Sequence, residues 1–150
     1  MFRLELLVAL LLTVLLSGCG AKPPAGAKPT KKVTVTVTYK GAPVEGAVVT
    51  FVNQDPPSAN GRTDAQGKAR LKTYIDGDGA TLGSHKVMIE KSIAEGGQTV
   101  GSDDPSYDPN APPAKVKYLV PQKYSSIATS GLTAEVKESG SNDFTFELKD

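Results

Sequence analysis

The sequence predicts an all-β fold, a single antiparallel seven-stranded β-sandwich, and three observations carry that reading. Residues 33–39, Val-Thr-Val-Thr-Val-Thr-Tyr, alternate apolar and polar side chains, the two-residue period of a half-buried strand. Glycine occurs 15 times and proline 11 times with no tryptophan, a composition of short strands joined by turns. Turn residues recur at roughly eight- to twelve-residue spacing between the apolar runs, as two packed antiparallel sheets require.

The elements follow in order. Val33, Val35, Val37 and Tyr39 share one face of the first strand, and Lys40-Gly41-Ala42-Pro43 turns the chain. Residues 46–53 return with Ala47, Val49 and Phe51 inward. Asp64-Ala65-Gln66-Gly67 is a turn leading into a strand over 68–74, where Ala69 and Leu71 alternate with Lys68, Arg70 and Lys72. A strand over 84–91 places Val87 and Ile89 inside. Leu132, Ala134 and Val136, then Ser139-Gly140-Ser141-Asn142, then Phe144, Phe146 and Leu148 read as a C-terminal hairpin. Those six strands gain a seventh near 116–120, crossing the sandwich as an edge strand. The Gly-Gly, Asp-Pro and Pro-Pro steps of the 92–123 insertion argue against a helix there, and an insertion of that length is functional or disordered more often than not.

Three segments divide the chain: residues 1–18, 19–32 and 33–150. Residues 4–16 form an apolar run long enough for a signal peptide and shorter than the roughly 20 residues of a membrane span, with Arg3 as the positive n-region despite Glu5. From Gly20 to Lys32 the chain is rich in Pro, Gly and Lys with no apolar period, a solvated tether that could hold the domain some 40 Å from a bilayer. Lys22, Lys28, Lys31 and Lys32 solubilise this linker, contact with anionic headgroups being the alternative, and no lipid-recognition site is expected. The remaining roughly 120 residues suffice for one core.

Leu16-Ser17-Gly18-Cys19 resembles the lipobox of bacterial lipoproteins. The resemblance implies cleavage between Gly18 and Cys19 and a diacylglyceryl group on the Cys19 thiol. Cys19 is the single cysteine, so no disulfide can form within the chain. An incidental free thiol is the alternative, but in an oxidising compartment it would be open to exchange, whereas a thioether is inert. The partner is then the lipid bilayer through acylated Cys19. Gly20 lacks the aspartate associated with inner-membrane retention, which by the same resemblance favours the outer membrane where the host has one.

The segment from Tyr39 to Phe51, with Thr63-Asp64-Ala65-Gln66-Gly67, resembles the carboxypeptidase regulatory-like, transthyretin-like domain. Gly83 to Val87, Pro121 to Tyr124, Ser130 to Thr133 and Phe144 to Phe146 resemble small bacterial lipoproteins that carry it. The resemblance implies a prealbumin-like sandwich at the cell envelope, in a family whose members mostly lack an assigned activity. The fold also hosts a purine-pathway hydrolase that relies on several histidines and a characteristic tail. This chain has one histidine and closes on Phe146-Glu147-Leu148-Lys149-Asp150.

Chemistry-bearing residues are few, and no catalytic, cofactor or metal site is expected. His85 is in phase with Val87 and Ile89, so it points inward and packs rather than catalyses. One histidine with no second cysteine excludes the usual His/Cys zinc sets, and neither a G-x-S-x-G elbow nor an S-x-x-K pair is present. Asp76-Gly77-Asp78-Gly79 and the Asp103, Asp104, Asp108 run offer oxygen ligands suited to Ca²⁺, yet lack the twelve-residue loop with its distal Glu and are also ordinary turn residues. Tyr74, Tyr107, Tyr118 and Tyr124 either stack on sugars or cover core edges. With 17 basic and 16 acidic residues the chain has no electrostatic footprint for nucleic acid. The function expected is a non-catalytic binding or structural module on an envelope lipoprotein, its further partner an envelope protein or a glycan. A glycan-binding module and a hydrolase are the alternatives.

Overall fold

The computed structural model describes residues 21–150. Its strands are β1 (Thr30–Lys31), β2 (Thr34–Tyr39), β3 (Ala42–Pro43), β4 (Val48–Val52), β5 (Ala59–Arg62) and β6 (Lys68–Arg70). They continue as β7 (Ala80–Thr81), β8 (Gly83–Glu90), β9 (Ser92–Glu95), β10 (Lys115–Tyr118), β11 (Leu132–Val136) and β12 (Asp143–Leu148). The only helical turn among the described residues is a 3-10 turn, Gln122–Ser125. The described residues are all-β, as composition and alternation predict.

Two main sheets enclose one core. The first runs β11-β8-β4-β5; the second runs β12-β2, with β3 and β6 paired to successive stretches of the far side of β2. The alternating residues meet between them: Val35 and Val37 from β2, Val49 and Phe51 from β4, Val87 and Ile89 from β8, and Leu148 from β12 belong to one buried cluster. Phe51 is its hub. Its ring lies 5.6 Å from Phe144 and 6.4 Å from Phe146, both edge-on contacts reaching across to β12. Burying such a ring contributes about 1.5–3 kcal/mol, and truncation to alanine would cost about 3–5 kcal/mol through the cavity left behind.

One edge of the stack is sewn shut by the backbone. Asn60 and Lys72 exchange N–H···O bonds of 2.9 and 2.8 Å, joining β5 of one sheet to the chain just past β6 of the other. The approach is close enough that a Cβ on Gly61 would stand 2.6 Å from the Arg70 carbonyl oxygen, so only glycine fits.

Four expectations are corrected. The last two strands are not a hairpin: β11 pairs antiparallel with β8, whereas β12 pairs parallel with β2, so the second sheet is mixed rather than purely antiparallel. The link between them changes sheets, held by Asn142, whose Oδ1 accepts the Lys137 N–H at 2.8 Å and whose Nδ2 donates to the Lys137 carbonyl at 3.0 Å. β5 is an additional strand, since Ala-Asn-Gly-Arg has no apolar alternation and owes its conformation to pairing with β4. The strand expected near 116–120 lies in neither main sheet. It pairs with β9 as a separate two-stranded ribbon, with Val116 63% exposed.

The fourth correction concerns the tether. Thr30 and Lys31, expected to be linker, pair with Thr81 and Ala80, so regular structure begins before Val33. Tyr39 packs partly buried against the core on the face its alternation predicts, and its hydroxyl reaches out to Asp150.

Candidate functional site at the tether exit

Residues 1–18, expected to be a signal peptide, and Cys19 lie outside the described residues. The segment that follows them is described, and it is fastened. Beyond a turn closed by the Ala27 N–H on the Pro24 carbonyl at 3.1 Å, the Lys28 N–H donates to the Tyr74 hydroxyl at 3.0 Å. β1 then pairs with β7.

The clasp that makes this attachment is built by the acidic loop after β6. Asp78 Oδ1 accepts the Thr73 N–H at 2.7 Å, and Oδ2 accepts those of Tyr74 and Ile75 at 3.0 and 3.3 Å. Short, ionised and accepting, an aspartate is suited to gathering successive amides in a turn. The Thr73 hydroxyl adds a 2.7 Å bond to the Gly79 carbonyl. Gly79 takes a φ of +90°, and a Cβ there would stand 1.7 Å from the Lys31 carbonyl oxygen, so the loop accepts the incoming strand only because this residue has no side chain. Asp78 thereby sets the loop, the loop presents Tyr74, and Tyr74 holds Lys28.

This arrangement reassigns the acidic loops. Asp78 spends its oxygens on backbone amides, and Asp76 pairs with Lys72 at 3.0 Å on the surface. In the insertion, Asp104 Oδ1 accepts both the hydroxyl and the N–H of Ser106, at 2.6 and 2.8 Å, and these hold its carboxyl below the usual carboxylate range. Asp108 accepts the Asn110 N–H at 2.8 Å, and Asp103 accepts from the Ser102 hydroxyl. Asp78, Asp104 and Asp108 each accept backbone amides of their own turn. Among the described residues no group of three or more His, Cys, Asp or Glu side chains converges to hold a metal ion.

The tyrosines do not converge on one platform. Tyr74 belongs to the clasp. Tyr124 is buried under the 3-10 turn, its hydroxyl donating to the Lys149 carbonyl and accepting the Lys149 N–H, both at 3.1 Å. Tyr118 sits opposite Ser92 in the ribbon, and Tyr107 is exposed in the insertion.

His85 is buried at 2% exposure, inward as its phase predicts. Its Nε2 donates to the Thr81 carbonyl at 2.8 Å, and its buried Nδ1 has no hydrogen-bond partner among the described residues. The ring stands 5.7 Å from that of Phe51. It lies beside an open cleft of about 670 Å³ at the β11 edge, whose walls include Phe144, Ile127 and Thr133. Among the described residues no nucleophile or carboxylate is hydrogen-bonded to the imidazole, whose contacts are the Thr81 carbonyl and the Phe51 ring.

The residue that sequence reasoning missed is Tyr74 as the tether's holder. Its signal was the Asp76-Gly77-Asp78-Gly79 turn two residues later, read there as a possible ion loop. Compared with protein-family models, curated proteins and solved structures, the chain matches none.

Proposed function

We propose that this chain is a lipid-anchored cell-envelope protein, attached to a membrane through acylated Cys19 and carrying a non-catalytic β domain that binds or spaces other envelope components. The observation that carries the reading is the clasp. Lys28, the first of the described residues fastened to the domain, comes nine residues after the lipobox cysteine, so the anchor and that point are separated by at most about 30 Å of chain. A domain that gathers its own linker onto its surface suits a protein that works close to the bilayer. The outer membrane is the favoured destination where the host has one. The finer architecture, a seven-stranded transthyretin-like sandwich, belongs to the same proposal and is supported by two sheets on one core together with the Tyr39–Phe51 pattern.

Detergent-phase partitioning of the full chain from a bacterial host, beside Cys19→Ala, tests this function. The wild-type chain is expected in the detergent phase, and Cys19→Ala in the aqueous phase or unprocessed. Equal partitioning of the two with no difference in processing would contradict the proposal.

A second reading, a glycan-binding module, is favoured by one feature: the cleft beside β11, with an apolar wall at Phe144 and Ile127 and polar groups at Thr133 and His85. A glycan array probed with and without calcium decides it, and absence of binding removes it.

A further inference from the structure

The seam where the two sheets are sewn together is also where positive charge collects. Arg62 projects from the outer face of β5 and Arg70 from that of β6, while Lys72 is the bridge partner of Asn60 and Lys32 follows β1. All four are exposed. Arg62, Arg70 and Lys72 border a hollow of about 580 Å³ that continues, by way of Arg70, Asp76 and Gly77, into one of about 490 Å³ bordered by Lys32. Asp76, paired to Lys72, is the single acid on these walls. Among the described residues Lys32, Arg62 and Arg70 enter no ion pair. Four cations against one carboxylate is a strong local excess in a chain whose formal net charge is +1.

Position gives the charge its meaning. Asp76 and Gly77, which line both hollows, belong to the loop that carries Tyr74 and holds Lys28. The basic seam therefore adjoins the point where the tether leaves the domain.

We propose that this seam is a docking surface for anionic phospholipid headgroups, with Lys32, Arg62, Arg70 and Lys72 meeting headgroup phosphates of the bilayer that holds the anchor. The inference rests on acylation of Cys19, which brings the tether exit to within about 30 Å of that bilayer. A short tether makes headgroup contact nearly intramolecular, so a few basic side chains suffice to orient the domain. Arginine forks suit phosphate oxygens, and the hollows give them room on both sides of Arg70.

The test is hydrogen exchange on the full processed protein in nanodiscs of phosphatidylcholine alone or with phosphatidylglycerol, after intact mass has established the state of Cys19. Slowed exchange over residues 59–62 and 70–77 only with phosphatidylglycerol is expected, lost at high salt and in a Lys32→Glu, Arg62→Glu, Arg70→Glu variant. Each basic charge removed should lower the ratio of docked to undocked protein roughly fivefold. Identical exchange of the unaltered protein in both discs would overturn docking, whatever the variant does. So would the same protection from inorganic phosphate in phosphatidylcholine discs, which would mark a site for free anions. An unmodified Cys19 would overturn the anchoring proposal itself, whereas an acylated protein indifferent to phosphatidylglycerol would overturn docking alone.

Discussion

The Tyr74 hydroxyl accepts the Lys28 N–H at 3.0 Å across 46 residues of sequence, and this bond converts a linker into part of the domain. Tyr74→Phe removes the acceptor and keeps the ring. Because the bond is exposed, the expected loss of stability is modest, about 0.5–1 kcal/mol, while exchange of the Lys28 amide should rise clearly. Hydrogen exchange resolved to residues 26–31 checks this, and unchanged protection at Lys28 would mean that β1 alone holds the segment.

Asp78 is the deeper support of the same clasp, since its two oxygens accept from Thr73, Tyr74 and Ile75. Asp78→Ala is expected to cost about 1.5–3 kcal/mol in denaturant unfolding and to loosen Lys28 as Tyr74→Phe does. Asp76→Ala, which removes only a surface pair with Lys72, should change stability by under about 1 kcal/mol. Equal effects of the two substitutions would refute the difference in role.

Asp150 supplies a titration. Tyr39 donates to its carboxylate at 2.5 Å and Lys40 pairs with it at 3.1 Å, which together hold its carboxyl below the ordinary value of 3.8. A folded-state value lowered in this way favours the folded chain above pH 3.8, and that contribution disappears as pH falls through the lowered value. Tyr39→Phe should move the Asp150 titration, followed by NMR, upward toward 3.8. A titration that stays where it was would show that Tyr39 contributes nothing.

How much of this was legible in the sequence depends on whether a residue's neighbours are local. Val35 and Val37, Val49 and Phe51, and Val87 with Ile89 and His85 are buried on the faces their alternation specifies, because the two-residue period is a property of one strand. Pairing is a property of two strands. Phe144, Phe146 and Leu148 identify a strand but not its partner, so the parallel union of β12 with β2 was invisible and a hairpin with β11 was the natural reading. β5 was missed because Ala59–Arg62 carries no pattern and is held by β4 and the Asn60–Lys72 bridge. The tether's docking was hidden for a related reason: its contacts are backbone groups of Lys28, Thr30 and Lys31, which no side-chain period records.

His85 separates a structural role from a ligand-binding one. Removing the imidazole deletes its bond to the Thr81 carbonyl and opens a void beside Phe51, so His85→Ala should lose about 2–4 kcal/mol in denaturant unfolding. Membrane attachment should be unaffected wherever the variant is folded. A fully stable His85→Ala would contradict the packing role and return the residue to the cleft as a binding group.

The measurement that bears most directly on the account is the intact mass of the full chain recovered from the membrane fraction of a bacterial host. Loss of residues 1–18 with acyl chains on Cys19 is the predicted result, and it places the clasped domain at the bilayer. A chain that retains its leader, or one cleaved elsewhere with a free Cys19 thiol, would contradict the anchor from which the rest of the functional reading is built.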